Sequence, residues 1–472
     1  MVSLKEKFLV EADRSILDLK KDMTKGKEWK LILLFTLPIM AGNLLQQLYN
    51  TADGVIVGNF VSEAAFAAVG TTQPLTFLFL SFAIGLSVGV GVVISQYFGA
   101  GRHEDLASAI DTSLIMLGIL GVAFTLIAWV TTPFLLDVVL SVPEGPILDQ
   151  AIVYFRIYCL GLFFQFIYNG ISYVLRGVGD SKATLYFLMI SALLNVGLDL
   201  LFVIVFHWDV AGAAIATVIS QAACAAVSYI YLRRRFAFVK GGVHFDKAVC
   251  KTMLRLGLPV AVQQSIVAFG NTAMQRLANG FGETTIAALS AGNRITSFIF
   301  IPIMGFQSGL ANFAGQNIGA GEWSRAKRGY WVTHAMAVAV TVVTGAALFF
   351  FAEPVVSLFG LSGASLARGV EQIKFLAPLF LVFASYMALG GLLQGAGDTI
   401  LLSIATLLAL AVRVVLGYLF VHIGWMGYNA VWATFPIGWV CALITVNLRY
   451  YTGGWKKKAI TGKKAVDMGP TD

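Results

Sequence analysis

Twelve apolar segments, each long enough to cross a lipid bilayer, recur along the 472-residue chain. A membrane-spanning helix needs about 20 mostly apolar residues, whereas a barrel strand needs about 10 residues of alternating polarity. The alternating pattern is missing from this sequence, which therefore predicts an all-α integral membrane protein. The segments lie near residues 31–57, 65–95, 106–132, 152–174, 184–206, 210–232, 253–278, 286–313, 328–351, 373–393, 400–421 and 427–448.

Composition supports this class, because only 12% of the residues are charged and 58% are hydrophobic. Soluble domains contain about 25% charged residues. The net charge of +8 comes from basic residues in short loops and at the chain ends, such as Arg102, the run at 233–235 and the run at 456–458. This distribution favours a positive-inside topology over a nucleic-acid-binding face. We expect a multi-pass plasma-membrane protein with both termini in the cytoplasm.

The second half of the chain repeats the first. The motif LP followed by NTA, at residues 37–38 and 50–52, recurs 221 residues later, at 258–259 and 271–273. The turns FGAG and IGAG repeat at an offset of 220, and the turns RGVGD and QGAGD repeat at an offset of 218. Because six spans is an even number, both halves start on the same side of the membrane. The sequence therefore predicts a parallel internal repeat, and a duplicated bundle of this kind favours a transporter.

The duplication divides the chain into two lobes of six transmembrane helices with short flanking parts. The predicted parts are a cytoplasmic N-terminal segment (1–30), an N-lobe (31–232), a cytoplasmic linker (233–252), a C-lobe (253–450) and a cytoplasmic tail (451–472). The aspartates that end the two RGVGD-type turns, Asp180 and Asp398, are predicted to cap helices or to structure the turns.

One carboxylate, Asp53, lies in the first span with apolar residues on both sides. A charge at the bilayer centre costs about 2.5–3.5 kcal/mol on insertion scales, so such a residue needs a compensating role. Gln46 precedes it by seven residues, which places both side chains on one helix face. Pro38, earlier in the same span, frees backbone hydrogen-bonding groups, and we predict a hinge there.

The fifth and sixth spans add further polar groups at helical spacing. Asn195 and Asp199 are four residues apart, and Thr217 follows Ala213 by four residues. Together with the first span they offer carboxylate, amide, hydroxyl and backbone oxygens, which suit a hard cation such as sodium. Two close carboxylates can instead share a proton. Interhelical packing is the alternative role for the amide and hydroxyl groups.

These motifs together resemble the multidrug and toxic compound extrusion (MATE) family over residues 28 to 450. The resemblance implies two six-helix lobes around a cleft and efflux of organic cations or other amphipathic compounds by alternating access, in exchange for sodium ions or protons. It also implies that the first-span aspartate is central to cation coupling. By this resemblance Asp53 works with Gln46, Asn195, Asp199 and Thr217.

The second half departs from the first at the position of the aspartate. Met274 stands at the position equivalent to Asp53, and its span contains no carboxylate. Some members of the NorM-like branch carry a carboxylate in that span, so the chain resembles the DinF-like branch more. Arg276, Arg294 and Arg413 are present instead, with Arg413 aligned to the asparagine of the fifth span. Arg413 and Met274 are candidate substrate-cavity residues, and packing with ion pairing is the alternative for Arg413.

Two other functions remain as alternatives at this point. A flippase or exporter of lipid-linked or anionic substrates is consistent with the three arginines of the second half. An intramembrane enzyme would need a nucleophile or metal set, and the sequence has no HExxH, GxSxG or paired-histidine motif. It also has no P-loop, so we expect neither an ATP site nor a cofactor other than the coupling ion. The sequence leaves sodium and protons open as that ion.

Overall fold

The computed structural model describes residues 22–236, 244–424 and 426–461, without the side chains of residues 50–55 and 59. Within these ranges all regular structure is helical. The first half contains α1 (Glu28–Phe60), α2 (Glu63–Gly99), α3 (His103–Phe134), α4 (Pro146–Gly177), α5 (Ser181–Asp199) and α6 (Asp209–Arg235). One π-helical turn extends α3 over Leu135–Val139, and another extends α5 over Leu200–Val205.

The second half follows the same order, with one additional short helix and with its fourth span divided into two helices. It contains α7 (Lys247–Asn279), α8 (Glu283–Gly319), α9 (Trp323–Phe350), α10 (Ala352–Ser357), α11 (Gly363–Leu376), α12 (Phe380–Gly395), α13 (Thr399–His422) and α14 (Ala430–Tyr451). The additional short helix is α10, and the divided span consists of α11 and α12. Short 3-10 turns occur at Ala377–Leu379, Gly427–Asn429 and Gly454–Lys458.

The predicted all-α class and the twelve predicted spans are confirmed. The described residues include twelve helical stretches long and apolar enough to cross a membrane. Helices α11 and α12 form one of these stretches, interrupted by the 3-10 turn that contains Pro378. Proline cannot donate a backbone hydrogen bond, so the regular helix breaks at that point.

The chain forms two compact units whose boundaries fall inside α1 and α7. The first unit contains Leu37–Val262, and the second contains Met23–Thr36 together with the chain from Gln263. The start of α1 therefore belongs to the second unit, and the start of α7 belongs to the first. Each boundary lies within four residues of an intrahelical proline, Pro38 or Pro259. The lobe limits drawn from the sequence, and the hinge at Pro38, stay predictions.

Glycines let the start of α7 pack directly against α2 in the first unit. A Cβ atom on Gly89 would overlap the carbonyl oxygen of Met253, and one on Gly85 would overlap the backbone of Ala261. From the other side, a Cβ on Gly257 would lie 2.7 Å from the Cα of Leu86. The two backbones approach so closely that no other residue fits. Small residues are the usual means of such close approach between membrane helices.

The second unit uses the repeated glycine in the same way. Gly309 stands at the position equivalent to Gly89, and a Cβ on it would overlap Oγ1 of Thr36 at the start of α1. Ile32 and Phe35 of this α1 segment are also buried, with exposed fractions of 0% and 4%. The glycines that repeat in sequence therefore mark the same helix contact in both units.

Charged side chains at the helix ends form ion pairs and hydrogen bonds with other parts of the chain. Glu28 at the start of α1 accepts from Arg325 at 3.3 Å and from Arg328 at 3.2 Å. Asp180 accepts from the backbone N–H of Ala183 at 3.3 Å, which confirms its predicted capping of α5. The side chain of Asp398 makes no capping bond, so only the predicted role in structuring the turn remains for it. An arginine of α14, Arg449, donates to that carboxylate at 2.6 Å instead.

Gly89→Ala should lower the stability of the folded protein by about 1–3 kcal/mol, because the added methyl group forces α2 away from α7. Gly70→Ala in the same helix is the matched control, since no described atom lies within 4 Å of its Cβ position. The measurement is the thermal unfolding midpoint of the purified protein in detergent. Equal midpoints for the two variants would contradict the close contact.

Candidate functional site

The structure brings together Asn195 and Thr217, two of the residues singled out by the sequence, where α5 meets α6. The Nδ2 atom of Asn195 donates to Oγ1 of Thr217 at 3.4 Å, and this hydroxyl donates to the carbonyl oxygen of Ala213 at 3.0 Å. Asp199 follows Asn195 by one turn of α5, and its exposed fraction is 0%. The predicted carboxylate, amide, hydroxyl and carbonyl of these two helices thus belong to one region of the first unit.

Small residues on α6 allow α5 and α6 to pack closely at this cluster. Gly212, Ala213, Ala214 and Ala216 are all buried in the first unit. A Cβ on Gly212 would lie 3.2 Å from the backbone carbonyl carbon of Phe202, in the π-helical turn that extends α5. Single π turns inside α-helices occur frequently at functional sites.

Two buried groups give the site its chemistry. The Asn195 Oδ1 atom is buried and accepts no hydrogen bond from any residue that the structure describes. Leaving a buried acceptor without a partner costs about 1–3 kcal/mol, so this oxygen favours a cation or a proton donor beside it. The fully buried carboxylate of Asp199 stands one turn away on the same helix. A set of oxygens without a described basic side chain in it suits sodium or a shared proton.

Gln46 lies in a neighbouring pocket of the first unit. The pocket is lined by α1, α4, α5 and α6 and is rich in hydrogen-bonding side chains. Its lining consists of Gln46, Tyr49, Phe164, Gln165, Tyr168, Leu188, Ser191, Ala192, Gln221 and Cys224. Ser191 precedes Asn195 by one helical turn, so this pocket lies next to the oxygen cluster along α5.

Sequence reasoning missed Gln165, Ser191 and Gln221 of this pocket. Gln221 follows Thr217 by four residues and therefore shares its face of α6. The Ser191 hydroxyl donates to the carbonyl oxygen of Ser220 at 3.1 Å, which joins α5 to α6 a second time. The sequence signal that could have identified them is a set of polar residues within the spans, spaced to share a helix face.

Asp53 lies within α1, two helical turns after Gln46. Its side chain is outside the part of the chain that the structure describes. Its role at the cation site therefore stays a prediction that rests on the sequence.

The second unit places Met274 and Arg413 in different surroundings. Met274 is 1% exposed, and its Cε atom lies 3.0 Å from where a Cβ on Gly417 would stand. Arg413 Nη1 donates to Oδ1 of Asn271 at 2.9 Å, and its Cζ atom lies 3.3 Å from the ring centroid of Phe435. A substrate-cavity role for Arg413 and Met274 stays a prediction.

Comparison with known proteins also detects the internal duplication of the chain. A family model described as MatE matches residues 38–201 and then residues 259–419. The two matches begin 221 residues apart and end 218 residues apart. These separations equal the offsets found in the sequence, which confirms the internal repeat.

Relatives and solved structures match most of the chain. The chain is 28% identical to the probable multidrug resistance protein YoeA of Bacillus subtilis, over 93% of this chain and 96% of that protein. It is 24% identical to a FAD transporter of Shewanella oneidensis, over 70% of this chain and 74% of that protein. A solved outward-facing structure of a multidrug resistance MATE family transporter of the MOP superfamily matches with a TM-score of 0.85 and 26% identity. That match covers 93% of this chain and 99% of the other.

As a test of the predicted cation site, Asp199→Asn should abolish any stabilisation of the fold by sodium or protons, because it removes the negative charge from the oxygen cluster. In the wild type we expect the unfolding midpoint to rise when sodium replaces choline at constant ionic strength, or when the pH is lowered from about 8 to about 6. The measurement is thermal unfolding in detergent under each pair of conditions. Asp105→Asn is the control, since this exposed carboxylate pairs with Arg102 outside the site. If the unfolding midpoint of Asp199→Asn shifts with sodium or pH as much as that of the wild type, Asp199 is not part of the ion site.

Proposed function

Because the chain belongs to the MatE family of multidrug efflux transporters, we propose that it is a cation-coupled antiporter. It exports organic cations or other amphipathic compounds in exchange for sodium ions or protons. The protein is a multi-pass membrane protein, and the relatives reported above are transporters rather than enzymes. The observation that carries the coupling proposal is the buried oxygen cluster of α5 and α6 in the first unit.

The coupling ion occupies this cluster together with Asp53. The orphaned Oδ1 of Asn195 and the buried carboxylate of Asp199 support this placement, because both gain from a bound cation or proton. Occupancy changes the packing of α1, α5 and α6 and lowers the affinity for the exported compound. Such coupling requires that the ion bind the two states of the transporter with different affinity.

Alternating access requires that part of the chain bend. Pro38 supports a hinge in α1, because it lies next to the boundary between the two compact units. We place both termini in the cytoplasm and the protein in the plasma membrane, as the basic loops favour. Within the family we place the chain closer to the DinF-like branch, which the methionine at position 274 supports.

Export of anionic or lipid-linked compounds is the second candidate function. Arg413 favours it, because it adds a positive charge to the second unit at membrane depth. The name of the Shewanella oneidensis relative, a FAD transporter, indicates a substrate with phosphate groups for that protein.

Asp53→Asn should abolish ion-driven efflux of a fluorescent organic cation from proteoliposomes, because the substitution removes the negative charge on which coupling depends. Sodium and proton gradients are imposed separately, so the gradient that drives efflux in the wild type identifies the coupling ion. Asp105→Asn, at an exposed ion pair, should transport as the wild type does.

Two results would contradict the antiporter proposal. One is a wild type that no gradient drives with any organic cation tested. The other is an Asp53→Asn variant that transports like Asp105→Asn. Translocation of lipid-linked anions would then be the next assay.

A further inference from the structure

A folded turn after α14 holds three adjacent lysines against the second unit. This 3-10 turn, Gly454–Lys458, contains the lysine run 456–458, and we call it the lysine turn. Trp455 within it is 0% exposed, and the Nε1 atom of this indole donates to the carbonyl oxygen of Tyr450 at 3.2 Å. The lysine run is therefore part of the folded second unit.

A cluster of aromatic rings anchors the lysine turn. The ring of Trp455 stacks on that of Tyr450 with 6.0 Å between the centroids, and it lies 5.7 Å from the ring of Trp323 at the start of α9. The Tyr450 ring lies 5.7 Å from that of Tyr330, which is 4.8 Å from the ring of Trp331. These contacts join α9, α14 and the lysine turn, and they place Trp331 level with the end of α14.

The outer side of this cluster is exposed and apolar. Trp331 is 54% exposed and Tyr451 is 77% exposed. Before Tyr451 on α14, the side chains of Val440, Ile444 and Leu448 are between 42% and 62% exposed. Their spacing of four and then three residues places all of them on one face of the helix. An exposed apolar stripe therefore runs along α14 to Tyr451, and the lysine turn follows it.

The lysine turn carries positive charge without a counter-ion in the described part of the chain. Its three lysines are exposed, and no described residue forms an ion pair with them. The sequences of α9, α14 and the turn include no aspartate or glutamate. Neighbouring arginines differ in this respect. Arg325 and Arg328 pair with Glu28, and Arg449 pairs with Asp398.

We propose that the lysine turn, Tyr451 and the apolar stripe of α14 bind an anionic phospholipid. The phosphate of the headgroup lies on the lysines, and an acyl chain lies along the stripe. Tyrosine and tryptophan favour the level of the headgroups, and lysines at that level attract anionic lipids. A lysine run that only followed the positive-inside rule would not need the buried anchor of Trp455. The site goes beyond the proposed antiport, because it depends only on the membrane location of the protein.

Titration of the purified protein in detergent with two lipids tests this inference. Dioleoyl phosphatidylglycerol has an anionic headgroup, whereas dioleoyl phosphatidylcholine has the same acyl chains and no net charge. The thermal unfolding midpoint is measured against the mole fraction of each lipid, with choline chloride as the salt so that no sodium is added. Because a ligand of the folded state raises the midpoint, phosphatidylglycerol should stabilise the wild type at lower mole fractions than phosphatidylcholine does.

The triple variant Lys456→Gln, Lys457→Gln, Lys458→Gln should need about tenfold or more phosphatidylglycerol for half of the shift, because each lysine near the surface adds attraction to anionic lipid. Its response to phosphatidylcholine should equal that of the wild type. Tyr451→Ala should also weaken the response to phosphatidylglycerol, since it removes the ring between the lysines and the stripe.

A second basic triplet provides the matched control. Lys247, Lys251 and Arg255 are exposed on α7, which lies outside the aromatic cluster. Replacing all three by glutamine removes the same charge from the protein. This variant should respond to phosphatidylglycerol as the wild type does, because the lost charges do not adjoin the stripe of α14.

Four results would overturn the inference. The first is a wild type that phosphatidylglycerol stabilises no better than phosphatidylcholine. The second is a lysine-turn variant that responds like the wild type, and the third is an α7 control that loses the response to the same extent. The fourth is equal stabilisation by glycerol 3-phosphate, which has no acyl chains and would indicate a site for free anions. The titration needs no transport, so its outcome is independent of the antiporter proposal.

Discussion

The hydrocarbon core of a bilayer offers no water to backbone N–H and C=O groups, so each spanning segment must satisfy them internally as a helix. Helices in lipid then associate through close packing rather than through exclusion of water. In this protein that packing depends on glycine. Gly85 and Gly89 admit the start of α7 to the first unit, and Gly309 admits the start of α1 to the second. The division of the two long helices between units follows from these contacts.

A charged side chain in the hydrocarbon core is costly, so each one needs a partner or a function. Carboxylates near the helix ends have protein partners, as Asp180 has in Tyr231 at 2.7 Å and Asp398 has in Arg449 at 2.6 Å. Asp199 and Arg413 lie deeper in their spans. In the repeat, Asp199 corresponds to position 417, which is about one helical turn after Arg413. The corresponding spans of the repeat therefore contain an aspartate in one unit and an arginine in the other.

Much of this architecture could be predicted from the sequence, because hydropathy and the repeat offsets are visible without coordinates. The bond from Thr217 to Ala213 follows from their spacing of four residues. Other features depend on tertiary packing and give no local signal. The π turn after Asp199 and the membership of each helix start in the opposite unit are of this kind. Of the two roles predicted for Asp398, capping is replaced by an ion pair with an arginine 51 residues later, a pairing that has no local signal in the sequence.

Helices α1 and α7 each belong to both compact units. Helix α1 starts in the second unit and carries Asp53 in the first, whereas α7 starts in the first unit and carries Asn271 in the second. Each helix start packs against glycines of a neighbouring helix, where an added Cβ atom would overlap it. In the proposed antiporter, a shift of α1 on ion binding beside Asp53 also moves the start of the same helix, which packs in the second unit. Coupling of this kind requires that α1 or α7 have two arrangements that the ion and the exported compound favour differently.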